Sequence, residues 1–225
     1  MPPTPPADAA QRLQQAISRR DETDYVFDFW TALGWTILSC GLYSFYIVYR
    51  LFWRSVEHNR RRLEVLDAAN ALAWERASAA GRAEELTPRF QAVAAHLGEL
   101  RAVSAEFRDP VIWTIIVAVS SGIGQVVGYV LLDMDLVRHE AAERAAEAEL
   151  AEIYAALGAP MARPAAGPTK ARHAYVNRVV ALLLTCGLYG LWWLYDVMVE
   201  ANRNYRQDWE HEDALWVAAG TLAAR

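Results

Sequence analysis

Three glycines in one apolar stretch, Gly122, Gly124 and Gly128, are the first candidates for chemistry. A glycine-rich loop can cradle phosphate on its backbone N–H groups, but it needs a strand before it and a helix after it, in water. Here Ser120 and Ser121 precede the glycines, and no charge occurs from Pro110 to Leu132. Gly124 and Gly128 have the four-residue spacing that lets a second helix backbone approach closely within a membrane. Helix packing is therefore the role expected of Gly122, Gly124 and Gly128, and of Gly41, Gly187 and Gly190 in two similar runs.

Cys40 and Cys186 hold equivalent places in those runs. On parallel helices the two thiols could meet. A metal or redox centre would need further ligands, and the uncharged runs contain no histidine, so two small packing residues are expected. His58, His96, His139, His173 and His211 all lie outside the runs, and no two are spaced i, i+4 as a helical zinc pair would be. No Ser–His–Asp set, catalytic carboxylate pair or phosphate loop is arranged convincingly. The expectation is a protein that is not an enzyme and holds no cofactor and no metal.

The elements that carry these residues are repeated. Thr36 to Tyr49 aligns without gaps on Leu182 to Tyr195, sharing Cys-Gly-Leu-Tyr, and Arg60 falls opposite Arg206. Arg50 and Asp196 are equivalent positions of opposite sign. Parallel spans would set them at one depth, so an interfacial ion pair between them is expected, with independent snorkelling to headgroups as the alternative. The uncharged windows are Phe29–Tyr49, Pro110–Leu132 and Val179–Tyr195. A crossing helix needs roughly 17–25 mostly apolar residues, so the windows predict an all-α polytopic membrane protein with three transmembrane helices and long amphipathic extensions. Tyr and Trp at the window ends fit an aromatic belt.

The chain has 225 residues, 54% hydrophobic and 22% charged, with net charge −5. That balance fits a few spans joined to charged helices and gives no bulk attraction to nucleic acid. The opening Met-Pro-Pro-Thr-Pro-Pro lacks the basic region of a cleavable signal peptide, so the first span is expected to remain as an anchor. Residues 1–28 read as a tail with a short amphipathic helix capped by Asp8, lying at an interface or solvated. Residues 29–53 form span 1, 54–109 an extramembrane helical hairpin, 110–132 span 2 and 133–157 an extension. Residues 158–169 form a Pro/Gly linker, 170–199 span 3 and 200–225 a C-terminal amphipathic helix. Gly81 and Gly158 are expected to stop helices. Thr87-Pro88, Asp109-Pro110 and Thr169 are expected to start them.

The run Gly187 to Tyr195, Gly-Leu-Tyr-Gly-Leu-Trp-Trp-Leu-Tyr, resembles the Gly-Ile-Tyr-x-x-Tyr-Trp signature of small bacterial membrane proteins in the domain-of-unknown-function 4234 family. Asn202 and Asn204 follow it, as polar residues follow the motif there. The resemblance implies a membrane protein and carries no activity.

Packing glycines, aromatics and projecting helices imply a scaffold, assembly or accessory subunit. Its partners would be the lipid bilayer and either a second copy or a larger membrane complex. A small channel or transporter component, or a membrane enzyme, is the alternative. Alanine richness and arginine in place of lysine point to a bacterial source, hence the inner membrane. Arginines after span 1 place the 54–109 hairpin and the C-terminus in the cytoplasm and the 133–157 extension on the other side. Phe90, Val93, Leu97, Leu100 and Phe107 form an apolar face. Leu63, Leu66 and Ala73 or the C-terminal helix would cover it; otherwise a partner would.

Overall fold

A computed structural model describes residues 8–120, 122–164 and 173–224. Among the described residues every regular element is a helix. Two short helices, α1 (Ala9–Ser18) and α2 (Arg20–Thr23), precede α3 (Phe29–Leu38) and α4 (Tyr43–Ala79). Then come α5 (Ala83–Ser104), α6 (Pro110–Val119), α7 (Ile123–Ala156), α8 (Tyr175–Leu184) and α9 (Tyr189–Ala223).

Each apolar window is broken rather than continuous. The chain turns between α3 and α4, between α6 and α7, and between α8 and α9. Among the described residues no helix is long and apolar enough to cross a membrane, so the expectation of three transmembrane helices finds no support here. The breaks follow from left-handed backbone. Gly41, Gly122 and Gly187 have φ near +92°, +93° and +93°, and Cys40 and Cys186 are left-handed as well, at +53° and +49°. The Gly41 N–H reaches back to the Thr36 carbonyl at 2.8 Å, and Gly187 reaches Leu182 at 2.8 Å, closing the outgoing helix in a Schellman manner.

A hydroxyl then caps each returning helix. Ser39 Oγ accepts from the Tyr43 N–H at 2.9 Å, Thr185 Oγ1 from Tyr189 at 2.9 Å, and Ser120 Oγ from Gly124 at 2.8 Å. The twofold repeat is thus threefold at its turns: Ser39-x-Gly41-Leu42, Ser120-x-Gly122-Ile123 and Thr185-x-Gly187-Leu188.

The three long helices leave these turns in the same direction. Along α4 and α7, Phe52 meets Gly128, Arg62 meets Glu143 and Glu147, and the Ala69 carbonyl accepts from Tyr154 at 3.1 Å. Along α4 and α9, Arg54 reaches the Val197 carbonyl at 3.0 Å, His58 stacks on Tyr205, and Arg61 meets Glu212. Helix α5 returns antiparallel to α7, with Arg89 on Glu149 and Glu106 on Arg138. All three turns therefore lie at one end. The extensions expected on opposite sides pack together instead, because α5 and α7 bury their faces on each other.

At the far end Leu66 and Ala73 of α4, Val93, Leu97 and Leu100 of α5, Leu150 and Tyr154 of α7, and Leu215 of α9 form one core. Helix α1 adds Leu13 to it, so it is neither interfacial nor solvated. Asp8, Asp109, Gly81 and Gly158 act as the sequence predicts: both aspartates accept the backbone N–H three residues on, and both glycines have positive φ at helix ends. Helix α5 begins before Thr87-Pro88. Its first turn carries Glu84 and Glu85, which favour a helix N-terminus, and Arg82 pairs with Glu85. Thr169 lies outside the described residues.

Candidate functional site

Two features sit next to each other along the long axis: an apolar hairpin end and a buried polar waist beneath it. Each hairpin has an outgoing arm of 10 residues, about 15 Å long. Their bases lie level with charged or polar groups. Arg54 donates to the Tyr25 carbonyl beside α3, Arg108 pairs with Asp135 beside α6, and Arg178 meets Asp196 at 2.6 Å beside α8. Inward-facing Phe52, Tyr129, Trp193 and Met198 pack together, and Phe52 stacks on Trp113. The tips are different. Leu38 is 75% exposed, Val119 77% and Leu184 80%, and Leu42, Ile123 and Leu188 are similar. Between the second and third hairpins, Val126, Val179, Leu182 and Leu191 line an apolar groove.

The waist joins α4, α7, α9 and the segment before α3. Asp24 is its hub, accepting from Arg61 at 2.6 Å, Trp209 at 2.7 Å, Thr23 at 2.8 Å and meeting His58 Nδ1 at 2.9 Å. Burial alone would raise the Asp24 carboxyl, but the positive charges of His58 and Arg61 outweigh it and hold it well below the usual range. Arg62 is fully buried and binds Glu143, Glu147 and Glu212, the last at 2.8 Å. Among the described residues Arg54 pairs with no carboxylate; it donates to Asn202 at 2.8 Å and to backbone carbonyls, and burial lowers its pKa. Asn202 in turn exchanges two hydrogen bonds with the Phe27 backbone, locking the entry to the first hairpin.

Burial depresses His58, but Asp24 and Asp208 reverse the sign and raise it to about 9. Asp208 is itself raised, by burial and then by Glu143. His58 Nε2 stands 3.3 Å from Asp208 Oδ2, outside good hydrogen-bond geometry. His58, Glu143 and Asp208 bring one ligand atom each within 4.8 Å of one another, all buried. Asp133, His173 and Glu200 do the same nearer the hairpin bases, with Asp133 buried and the other two part-exposed. A cavity of about 30 Å³ lies between the two groups, lined by His58, His139, Asn204 and Asp133.

Several expected site residues have other partners. Asp196 pairs with Arg178, while Arg50 lies over the rings of Tyr25 and Trp53 at 4.0 and 4.3 Å. The Arg50–Asp196 pair is not formed, because an arginine on the outgoing arm is closer to Asp196. Gly41, Gly122 and Gly187 have no atom within 4 Å of a Cβ position; they make turns rather than helix contacts. A Cβ at Gly124 would meet Ser120 and Ile116 of its own hairpin, one at Gly190 would meet Leu182, and one at Gly128 the Phe52 ring across helices at 3.4 Å. Phe90, Val93, Leu97 and Leu100 are covered within the chain, and Phe107 alone of that face is exposed. The cysteines sit on separate, exposed turns and form no disulfide.

No protein-family model, no curated protein and no solved structure matches this chain.

Proposed function

We propose that the protein is a non-enzymatic membrane scaffold or accessory subunit, anchored by three helical hairpins that enter one leaflet and return. The observation that carries this reading is the three bare apolar tips at one end of an otherwise charged bundle. An arm of about 15 Å matches half of the roughly 30 Å hydrocarbon thickness. Each turn lets the chain leave on the side from which it entered. Schellman contacts and hydroxyl caps take up turn backbone groups in the first and third hairpins, and the Ser120 hydroxyl caps the second, in keeping with what hydrocarbon demands. Aromatic and charged groups at the bases, Tyr25, Trp53, Arg50 and Arg178 among them, suit the headgroup level.

In this reading the bundle lies on the cytoplasmic face of a bacterial inner membrane. The arginines after the first hairpin, Arg54, Arg60, Arg61 and Arg62, support that side. The anchored bundle would present its outer helix faces to a second copy or a larger membrane complex. Similarity of the Gly187–Tyr195 run to the domain-of-unknown-function 4234 family agrees with the membrane class.

The test places single cysteines at Asp28 and Ala79 in a chain with Cys40→Ser and Cys186→Ser. Both should label with an impermeant maleimide from the same face of sealed membrane vesicles. Labelling from opposite faces would mean that the first apolar run crosses. Placing Asp at Leu38, Val119 and Leu184 together should release the folded protein from membranes. Retention of that triple variant would sink the anchoring role.

A further inference from the structure

We infer that His58, Glu143 and Asp208 form a binding site for one divalent transition-metal ion, each supplying one ligand atom from a different long helix. The three atoms converge within 4.8 Å at a point where α4, α7 and α9 meet, and the three side chains are buried. His58 Nε2 has only Asp208 Oδ2 near it, at 3.3 Å, and Glu143 Oε2 only His139 Nδ1, at 3.3 Å; neither contact has hydrogen-bond geometry, although both atoms are shut away from water. Native proteins seldom leave such atoms unsatisfied, and an ion satisfies both at once.

The surrounding groups are placed as supports for ligands. Asp24 meets the other imidazole nitrogen, Nδ1, at 2.9 Å. A carboxylate there fixes the ring and leaves Nε2 free to donate its lone pair, an arrangement that recurs behind metal-bound histidines. Arg62 takes the opposite oxygen of Glu143, Oε1, and so leaves Oε2 turned away from it. The Asn204 side-chain N–H donates to Asp208 Oδ2 at 3.2 Å. Two further donor atoms, His139 Nε2 and Asn204 Oδ1, are buried without a partner, and both side chains line the adjoining cavity. About 30 Å³ there is room for a water to complete the coordination.

Charge points the same way. Asp24, Glu143, Glu147, Asp208 and Glu212 are all buried; the guanidiniums bound to them are those of Arg61 and Arg62, and the imidazoles of His58, His139 and His211 also face them. Arg54, the next cation, is turned to carbonyl oxygens. An added divalent charge at this point would lie against several of these carboxylates at once. One imidazole with two carboxylates and no thiolate selects the nitrogen/oxygen class of ion, such as Zn²⁺, Mn²⁺ or Fe²⁺. An ion held by three helices would also clamp the waist, so binding raises stability by mass action.

The test uses the purified full chain in detergent, stripped with chelator and dialysed against Zn²⁺ alone. One equivalent per chain should bind and raise the melting temperature. It should survive His173→Gln, in the neighbouring Asp133–His173–Glu200 group, and weaken at least about tenfold in His58→Gln, Asp208→Asn and the supporting variant Asp24→Asn. A folded wild type that takes up no stoichiometric Zn²⁺ overturns the site. So does an equivalent that persists in His58→Gln or is lost in His173→Gln. Should the waist variants fail to fold, Co²⁺ bound to the wild type decides. Strong visible bands of a low-coordinate site are expected, and a weak six-coordinate spectrum refutes it.

Discussion

The two ends of α4 are built from the same kinds of residue and end in opposite conditions. At the far end Leu66 packs beneath Leu97 and Leu100, and neither α5 leucine exceeds 2% exposure. At the near end Leu42 begins the helix at 70% exposure, beside Leu38 at 75%. Side-chain type does not separate these ends; what covers them does. The far end gathers α1, α4, α5, α7 and α9 around one core. The near end sets three short arms against the first turns of α4, α7 and α9; together they fill its own core, and nothing among the described residues covers their outward faces. Between them the waist replaces apolar contact with ion pairs, so the two cores are insulated from each other by charge.

The largest effect on this contrast should come from cutting the insulation. Arg62→Met leaves Glu143, Glu147 and Glu212 without their shared cation, and removing one partner of a buried pair costs about 3–5 kcal/mol. Thermal melts in detergent should show both ends unfolding at lower temperature. An unchanged melt would mean that the waist is not what joins them.

Next come the two apolar ends themselves. Leu97→Ala should cost about 2–5 kcal/mol, as large-to-small changes in a closed core do. Leu184→Ala, at a tip, should change stability by less than about 0.5 kcal/mol and act only on membrane retention. Equal losses in chemical denaturation would erase the distinction between the ends.

The smallest effect is a pH slope belonging to the waist. His211 is held down to about 4, first by burial and then by the positive charge of Arg62. Below about 6.5 the unfolded chain binds a proton that the folded chain refuses, so stability declines as pH falls from about 6.5 toward 4. His58, raised to about 9, loses its contribution only as pH climbs from about 6.5 through 9. The decline measured between about pH 6.5 and 4.5 should flatten in His211→Phe; a slope of the same size in the variant would assign it elsewhere.

Much of the architecture was legible along the chain. The apolar windows, the Asp8 and Asp109 caps and the Gly81 and Gly158 stops are local patterns with local causes. The breaks were harder to see. A glycine in an uncharged run serves a helix contact and a left-handed turn equally well by composition, and hydropathy does not distinguish a straight run from a folded one. The usable signal was the Ser/Thr two residues before each turn glycine, present in all three runs. The waist could not be read from spacing within one helix. His58, Glu143 and Asp208 come from three helices, and only the parallel packing of α4, α7 and α9 brings them together. Arg50 and Asp196 mislead for the converse reason: equivalent places in a repeat need not be neighbours when Arg178 stands nearer.

That each hairpin begins and ends at one level bears on how such an anchor could be installed. A straight span must drag one of its flanks through hydrocarbon, at roughly 2.5–3.5 kcal/mol for each Asp, Lys or Arg at the centre. Asp28 and Arg50, or Asp109 and Asp133, bracket runs whose midpoints are turns. Under the anchoring proposed above, such loops would sink tip first, with both charged shoulders left in the headgroups. No ionic segment would then need translocating, and the barrier to insertion would reduce to dewetting three leucine- and valine-tipped turns.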